Sequence, residues 1–265
     1  MARRVDTNRR ESIAQLVRQT GFVRNSELSD RFGVSTVTIR QDIDALSARG
    51  LIQRTYGGAV VAPDAIQDTS FAARSAEHAD AKRRIGRAAA AAVRPGETIL
   101  LDSGSTTIEI ARHLRENAEI TVVTCALNVA LEAGSRAGVT VVVCGGTLNP
   151  RTLSTASQQT LGQLSGVFAD RLFLATYGVH FEKGLAERSF EVAETKRALI
   201  ASARATTLVC DSSKFGNAGP VLISPLTAVK HVISDNAMPA HARDWFASNR
   251  ISVELCSSDR RRFET

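Results

Sequence analysis

Thr98-Ile99-Leu100-Leu101-Asp102-Ser103-Gly104-Ser105-Thr106-Thr107-Ile108-Glu109 reads as a strand that turns through a glycine into a helix. The run Thr98 to Leu101 is apolar and short enough for a buried strand, and Thr106 with Glu109 three residues on has the form of a capping box opening a helix over residues 106–114. Four hydroxyls, a glycine and the N–H groups of a helix start then converge in one turn, a combination that suits the oxygens of a phosphate. The same turn also fits a well-capped helix that binds nothing.

Outward from this turn the pattern repeats. Further β-branched runs fall at 120–124, 139–144, 171–176, 207–210, 229–233 and 251–255, with helical stretches at 81–93, 127–133, 158–164, 190–203 and 239–248. Buried strands alternating with helices imply an α/β domain with a mostly parallel sheet covered on both faces, and such sheets bind ligands at the carboxyl ends of their strands. Besides Asp102, Ser103, Gly104, Ser105, Thr106 and Thr107, the expected strand ends and following helices offer Gly145 and Gly146, Lys196, and Asp211 with Lys214. Together they make a pocket for a phosphorylated sugar or polyol. The chain has no G-x-x-x-x-G-K-[ST] and no G-x-G-x-x-G, so nucleotide binding is disfavoured.

The first sixty residues have a different rhythm. Asn8 and Glu11 start a helix with an Ile13, Leu16 and Val17 stripe that Gly21 ends; Leu28 and Phe32 mark a second, short helix closed by Gly33. Ser35 caps a third helix with Ile39, Ile43 and Leu46 on its buried side and Thr36, Thr38, Arg40, Gln41 and Asp44 on the other. Gly50 to Val60 reads as two short strands bent at Gly57-Gly58, a wing beside that helix. On periodicity alone this segment is either a helix-turn-helix or a small structural bundle. Residues 62–75, with Pro63, Asp64 and Asp68 and no apolar period, read as a linker between a unit at 1–61 and another at 76–265.

Composition sets the outer bounds. The chain has 265 residues, 43% of them hydrophobic, and 33 basic against 27 acidic side chains, which excludes a disordered polymer and a disulfide-stapled miniprotein. Residues 1–62 hold ten Arg, no Lys and six acids, so most of the net charge of +6 lies at the front, although Arg is favoured over Lys throughout. No stretch is long and apolar enough for a membrane span, and no apolar core follows the first basic residues as it would in a secretory signal. Cys125, Cys144, Cys210 and Cys256 lie in or beside β-branched runs without C-x-x-C or metal-ligand spacing, which reads as buried thiols in a reducing cytoplasm, with no metal and no cofactor. Five scattered His, Trp245 and the Arg260 to Arg262 tail read as surface or packing residues.

Arg10 to Ile13, Leu28 to Ser35, Thr38 to Leu46 and Gly50 to Ala59 resemble the winged helix-turn-helix of DeoR-type bacterial transcriptional regulators. Asp102 to Thr107, Val122 to Thr124, Cys144 to Gly146, Glu191 to Arg197 and Asp211 to Gly216 resemble the effector domain of that family, so the likeness runs from residue 9 to about 235. It implies a rear domain of the ribose-phosphate isomerase and CoA-transferase kind that senses a phosphorylated sugar. Three positions depart from the family pattern: Gln41 where a second arginine is usual, Cys125 where Asn is frequent, and Tyr177 where a small residue stands.

The resemblance implies a regulator, more often a repressor, of carbohydrate genes. Ser35, Thr36, Thr38, Arg40 and Gln41 would face the major groove of double-stranded operator DNA, with Arg54 and Tyr56 on the wing near the backbone or minor groove. A dimer or higher homo-oligomer on paired half-sites is expected. The alternative is an isomerase-like enzyme with Asp102, Glu191 or Asp211 as acid or base; it ranks lower because a fold does not carry its chemistry with it. A purely structural protein ranks third.

Overall fold

The computed structural model describes residues 9–10, 12–14, 16–17, 20, 22–48, 51–61, 71–217 and 219–257. The expected cap at Asn8 and Glu11, the Gly21 stop, Gly50, linker residues 62–70 and the Arg260 to Arg262 tail lie outside them. The chain divides into two compact units, Met1–Thr69 and Ser70–Thr265. Residues 71–75, read above as linker, are helical and belong to the second unit.

In the first unit, helical residues between 9 and 20 precede β1 (Phe22–Arg24), α1 (Asn25–Phe32), α2 (Thr36–Ala48), β2 (Ile52–Thr55) and β3 (Gly58–Val61). Gly33 closes α1 in the left-handed region, φ 63°, with its N–H donating to the Ser29 carbonyl. The Ser35 hydroxyl accepts from the Thr38 N–H at 3.2 Å, so the expected cap of α2 is formed. Ile13, Val17, Leu28, Ile39, Ile43, Leu46, Ile52 and Ala59 share one core. Strand β1, unanticipated because three residues carry no readable alternation, pairs antiparallel with β3 and makes the wing a three-stranded sheet.

The second unit opens with α3 (Phe71–Ala76) and α4 (Ala79–Ala91). Then follow β4 (Thr98–Leu101), α5 (Thr107–His113), β5 (Ile120–Thr124), α6 (Leu127–Gly134) and β6 (Val139–Val143). A short hairpin of β7 (Leu148–Asn149) and β8 (Ser154–Thr155) leads to α7 (Gln158–Leu164) and β9 (Arg171–Leu174). After β10 (Gly178–His180) and β11 (Gly184–Glu187) come α8 (Phe190–Ala201), β12 (Thr206–Val209), β13 (Val221–Ser224), β14 (His231–Asp235), α9 (Ala240–Ser248) and β15 (Ser252–Cys256).

Seven strands form one sheet in the order β15-β14-β12-β9-β4-β5-β6, and every pairing in it is parallel. Period-two alternation divides its side chains between two cores. Leu100, Val123, Leu172, Leu174, Leu208 and Val232 face α7, α8 and α9, while Ile99, Leu101, Val122, Phe173, Val209 and Ile233 face α4, α5 and α6. Both faces are covered, as the unbroken apolar runs require. The antiparallel sheet β10-β11-β13 was not anticipated, since Gly178 and Gly184 open strands of only three and four residues.

Candidate functional site

On the first unit, Ser35, Thr36, Arg40, Gln41, Arg54 and Tyr56 are exposed and Thr38 is half-buried. The α-helical period puts Thr36, Val37, Arg40, Gln41 and Asp44 on one face, opposite Ile39, Ile43 and Leu46. Ser35 and Thr38 have a local duty: their hydroxyls lie 3.0 Å apart within the helix cap. Arg40 has no ion-pair partner among the described residues. Arg54 crosses from the wing to Asp44 at 2.8 Å, and both side chains are about half exposed. Such a pair contributes little and opens readily toward a phosphate. The Tyr56 ring is fully exposed at the wing turn.

The sequence reading missed two features here. Val37 is 59% exposed on the same face as Arg40 and offers an apolar surface of the kind that meets a thymine methyl; its i+3 and i+4 relation to Arg40 and Gln41 was the available signal. Asp42 is buried beneath that face, and the Arg9 and Arg10 side chains donate to its two oxygens at 2.6 and 2.7 Å. Two of the ten frontal arginines therefore clamp α2 from behind instead of facing outward.

In the second unit, the chain leaves β4 toward β5 and β6 and leaves β9 in the opposite sense, toward β12, β14 and β15. The β4/β9 boundary is therefore the topological switch point, where loops diverge and leave a crevice beyond the strand ends. Residues 102–106 follow β4 there, and Ala175, Thr176 and Tyr177 follow β9. The Ala175 N–H donates to Asp102 Oδ2 at 3.0 Å, closing the floor between the two loops. A Cβ on Gly104 would lie 3.0 Å from the Ala175 Cβ, tighter than ordinary contact, so glycine lets the loops sit this close without a neighbour giving way.

Ser103 and Ser105 are half-buried and Thr106 is buried, and the three hydroxyls make no hydrogen bond among the described residues. The expected capping box is not formed. Thr106 has α-helical φ and ψ and caps nothing with its side chain, and Glu109 pairs with Arg112 at 2.7 Å. The Thr107 hydroxyl instead donates to the Gly104 carbonyl at 3.0 Å, tightening the turn from within.

Lys196 and Asp102 differ most from their expected roles. Both side chains are at most 3% exposed, and the Lys196 ammonium donates to the Ala175 carbonyl at 2.8 Å and to Glu187 Oε1 at 2.6 Å while lying 3.0 Å from Asp102 Oδ2. With three partners for three protons, Lys196 is occupied and holds the floor of the crevice. Burial alone would lower its pKa, but the Asp102 and Glu187 charges outweigh that and hold it above the ordinary lysine value. Burial also pushes the Asp102 carboxyl up, against the pull of Lys196. Glu187, which completes the cluster, was not singled out because β11 was not recognised.

The remaining expected residues are spread along the sheet. Gly145 and Gly146 follow β6, whereas Asp211 and Lys214 follow β12. With about 4.8 Å between neighbouring strands, β6 and β12 end roughly 19 Å apart, wider than one sugar phosphate. Gly145 is also engaged internally: its N–H donates to Gln163 Oε1 and its carbonyl accepts from the Thr160 hydroxyl, both at 2.8 Å. A Cβ on Gly146 would lie 2.3 Å from Thr160 Oγ1. These glycines pack the β6 loop onto α7, and Gly145 does not present free backbone, which corrects the expectation for that residue; Gly146 is exposed. Asp211 accepts from the Ser213 N–H at 3.1 Å and keeps Oδ2 buried without a hydrogen bond; Lys214 is half-buried in the following 3-10 turn. Lys82, also missed, donates to the Arg74 and Glu77 carbonyls, and burial lowers its pKa against the pull of Asp211.

A cleft of about 570 Å³ is lined by Thr147 to Arg151, Ala156, Ser157 and Glu191. Cys125 and Cys144, at the neighbouring ends of β5 and β6, are buried. Donation of the Cys125 S–H toward Cys144, together with burial, pushes the Cys125 thiol up, and accepting it lowers Cys144. Among the described residues no cluster of three or more His, Cys, Asp or Glu is arranged to hold a metal ion, and no helix is long and apolar enough to cross a membrane.

Two family models match the chain: a DeoR-like helix-turn-helix domain over residues 9–64 and a DeoR C terminal sensor domain over residues 77–236. The glycerol-3-phosphate regulon repressor of Escherichia coli K12 is 32% identical over 250 residues, covering 94% of this chain and 99% of that protein. A putative aga operon transcriptional repressor of Escherichia coli O157:H7 is 32% identical over 251 residues, covering 94% and 93%. Among solved structures, ribose 5-phosphate isomerase A from Methanocaldococcus jannaschii is similar at 16% identity and a TM-score of 0.39, covering 52% of this chain and 55% of that one. The full-length sorbitol operon regulator SorC from Klebsiella pneumoniae is similar at 10% identity and a TM-score of 0.37, covering 77% and 88%.

Proposed function

Because the chain belongs to the DeoR family of transcriptional regulators, we propose that it is a repressor of a carbohydrate operon, released from or retuned on its operator by a phosphorylated sugar or polyol. The observation that carries this reading is the crevice at the β4/β9 switch point, where the hydroxyls of Ser103, Ser105 and Thr106 make no hydrogen bond among the described residues, above a floor held by Asp102 and Lys196. Hydroxyl and backbone donors in a glycine turn match phosphate oxygens. Lys214, on the β12 side, lies at the end of the strand next to β9 and is the second cation of this site. Gly145 and Gly146 act through the β6 loop, outside direct reach of the same ligand.

The exposed face of α2 reads DNA. Arg40 and Gln41 address base edges, Val37 and Thr36 supply apolar and hydroxyl contacts, and Arg54 and Tyr56 reach the sugar-phosphate backbone from the wing. Gln41 reads adenine, where an arginine would add charge. The protein acts as a homodimer or higher oligomer on paired half-sites.

The enzymatic alternative is disfavoured at two of its three acid and base candidates, while the third, Glu191, is exposed in the cleft wall. Asp102 is bound by Lys196 and two N–H groups, and Asp211 by Ser213, with no substrate-facing pair of carboxylates between them. The deciding experiment is a thermal-shift screen against aldose and ketose phosphates run beside a turnover assay with the same compounds. A rise in melting temperature without product is expected; product at enzyme-like rates would overturn the reading.

A further inference from the structure

Tyr177, the departure that the family likeness left unexplained, is in contact with Arg188. The Arg188 guanidinium lies 4.1 Å from the Tyr177 ring centroid, and its Nη2 donates to the Tyr177 hydroxyl at 2.9 Å. Both side chains are half-buried. The neighbouring carboxylate is not available to Arg188: Glu187 Oε1 is held by Lys196, and Oε2 accepts from the Arg188 backbone N–H at 3.3 Å. No carboxylate pairs with the guanidinium among the described residues.

The position of this cation matters. Tyr177 is two residues past Ala175, which abuts Gly104 and ties to Asp102, and Arg188 is three residues before Glu191 in the wall of the cleft. The buried floor of Asp102, Glu187 and Lys196 holds two acids and one base, so an anion in the crevice meets a net negative floor that Lys214 on the β12 side only neutralises, and a further cation is needed to make the site attractive. Lys196 has no proton to spare. Arg188 has four of its five N–H groups left after the Tyr177 bond, in the planar fork that grips two oxygens of one oxyanion. Stacking on Tyr177 holds that fork in one orientation, which lowers the ordering cost of binding.

We infer that Arg188 is the cation that grips the oxyanion of the effector and that Tyr177 is its positioning residue; this rests on the crevice being the effector site. The gripped group is a phosphate or a sugar carboxylate, which the fork accepts alike.

The test uses the full-length protein and isothermal titration with inorganic phosphate and, separately, gluconate, with glucose as the neutral control. Five proteins are compared: wild type, Arg188→Gln, Arg188→Lys, Tyr177→Phe and Ser105→Ala, each checked for an unchanged unliganded melting temperature. Arg188→Gln is expected to lose at least tenfold in affinity for whichever anion the wild type binds, and Arg188→Lys to recover part of it. Tyr177→Phe, which keeps the ring and removes the acceptor, is expected to lose a smaller factor, two- to fivefold. Phosphate binding lost only in Arg188→Gln, with Ser105→Ala as wild type, supports Arg188 and overturns the hydroxyl turn. Loss only in Ser105→Ala, with Arg188→Gln as wild type, overturns the Arg188 inference and leaves the turn standing. A wild type that binds neither anion overturns both.

Discussion

Arg40 and Lys196 show how a cation's surroundings decide its role. Arg40 is exposed on α2 and makes no ion pair among the described residues, the Asp44 carboxylate one turn on being held by Arg54, so its charge is available to a duplex. Arg40→Ala is expected to weaken operator binding by about 1–3 kcal/mol while leaving the melting temperature and effector binding unchanged, as read by fluorescence anisotropy and thermal shift. Lys196 is buried between two carboxylates, so removing it strands them. Lys196→Met is expected to cost about 3–5 kcal/mol in urea unfolding. Its folded pKa lies above the ordinary 10.5, so the stabilisation is complete below that value and is lost as pH rises past it through the folded value. The wild type is therefore expected to lose more stability than Lys196→Met does as pH rises above the ordinary lysine value. An equal loss in both proteins would show that this ammonium does not hold the floor.

At the scale of elements, the α4/α5 contact sets how the first turn after β4 is presented. A Cβ on Gly86 of α4 would lie 2.4 Å from the Glu109 Cβ and 2.6 Å from its carbonyl carbon in α5. Gly86→Ala is expected to lower stability by about 1–3 kcal/mol, the usual cost of overpacking, and to weaken anion binding by displacing α5 from the turn it follows. A variant as stable as wild type would mean the helices separate freely. The helices α2 and α4 were legible because apolar residues repeat along them with the helical period, and the seven sheet strands because they are runs rich in β-branched and apolar residues. β1, β10 and β11 were not, since three or four residues around glycine carry no period and their pairing is set by distant partners. The same limit hid Glu187 and Arg188, which gain meaning only when β11 brings them beside the loop after β9. The capping box at Thr106 failed for a different reason: the Thr107 hydroxyl closes the turn and Arg112 takes the Glu109 carboxylate.

On the whole molecule, the first unit has a polar helix face bearing Arg40 over a small core, and the second a double-faced sheet with a crevice at its switch point. DNA affinity carried by arginine contacts is expected to fall steeply and log-linearly with salt, and a flat response would favour a structural role for the first unit. Regulation also requires that the small anion bind the DNA-competent and DNA-incompetent states with different affinity. The most direct measurement is fluorescence anisotropy of the full-length protein on a labelled duplex from the region upstream of its own gene, titrated in parallel with pentose, hexose and polyol phosphates. At least one of them is expected to shift the DNA-binding midpoint tenfold or more, a coupling of about 1.4 kcal/mol, and to lose that effect in Ser105→Ala. Superimposable isotherms with every phosphate, on a protein that binds one of them by thermal shift, would contradict the account.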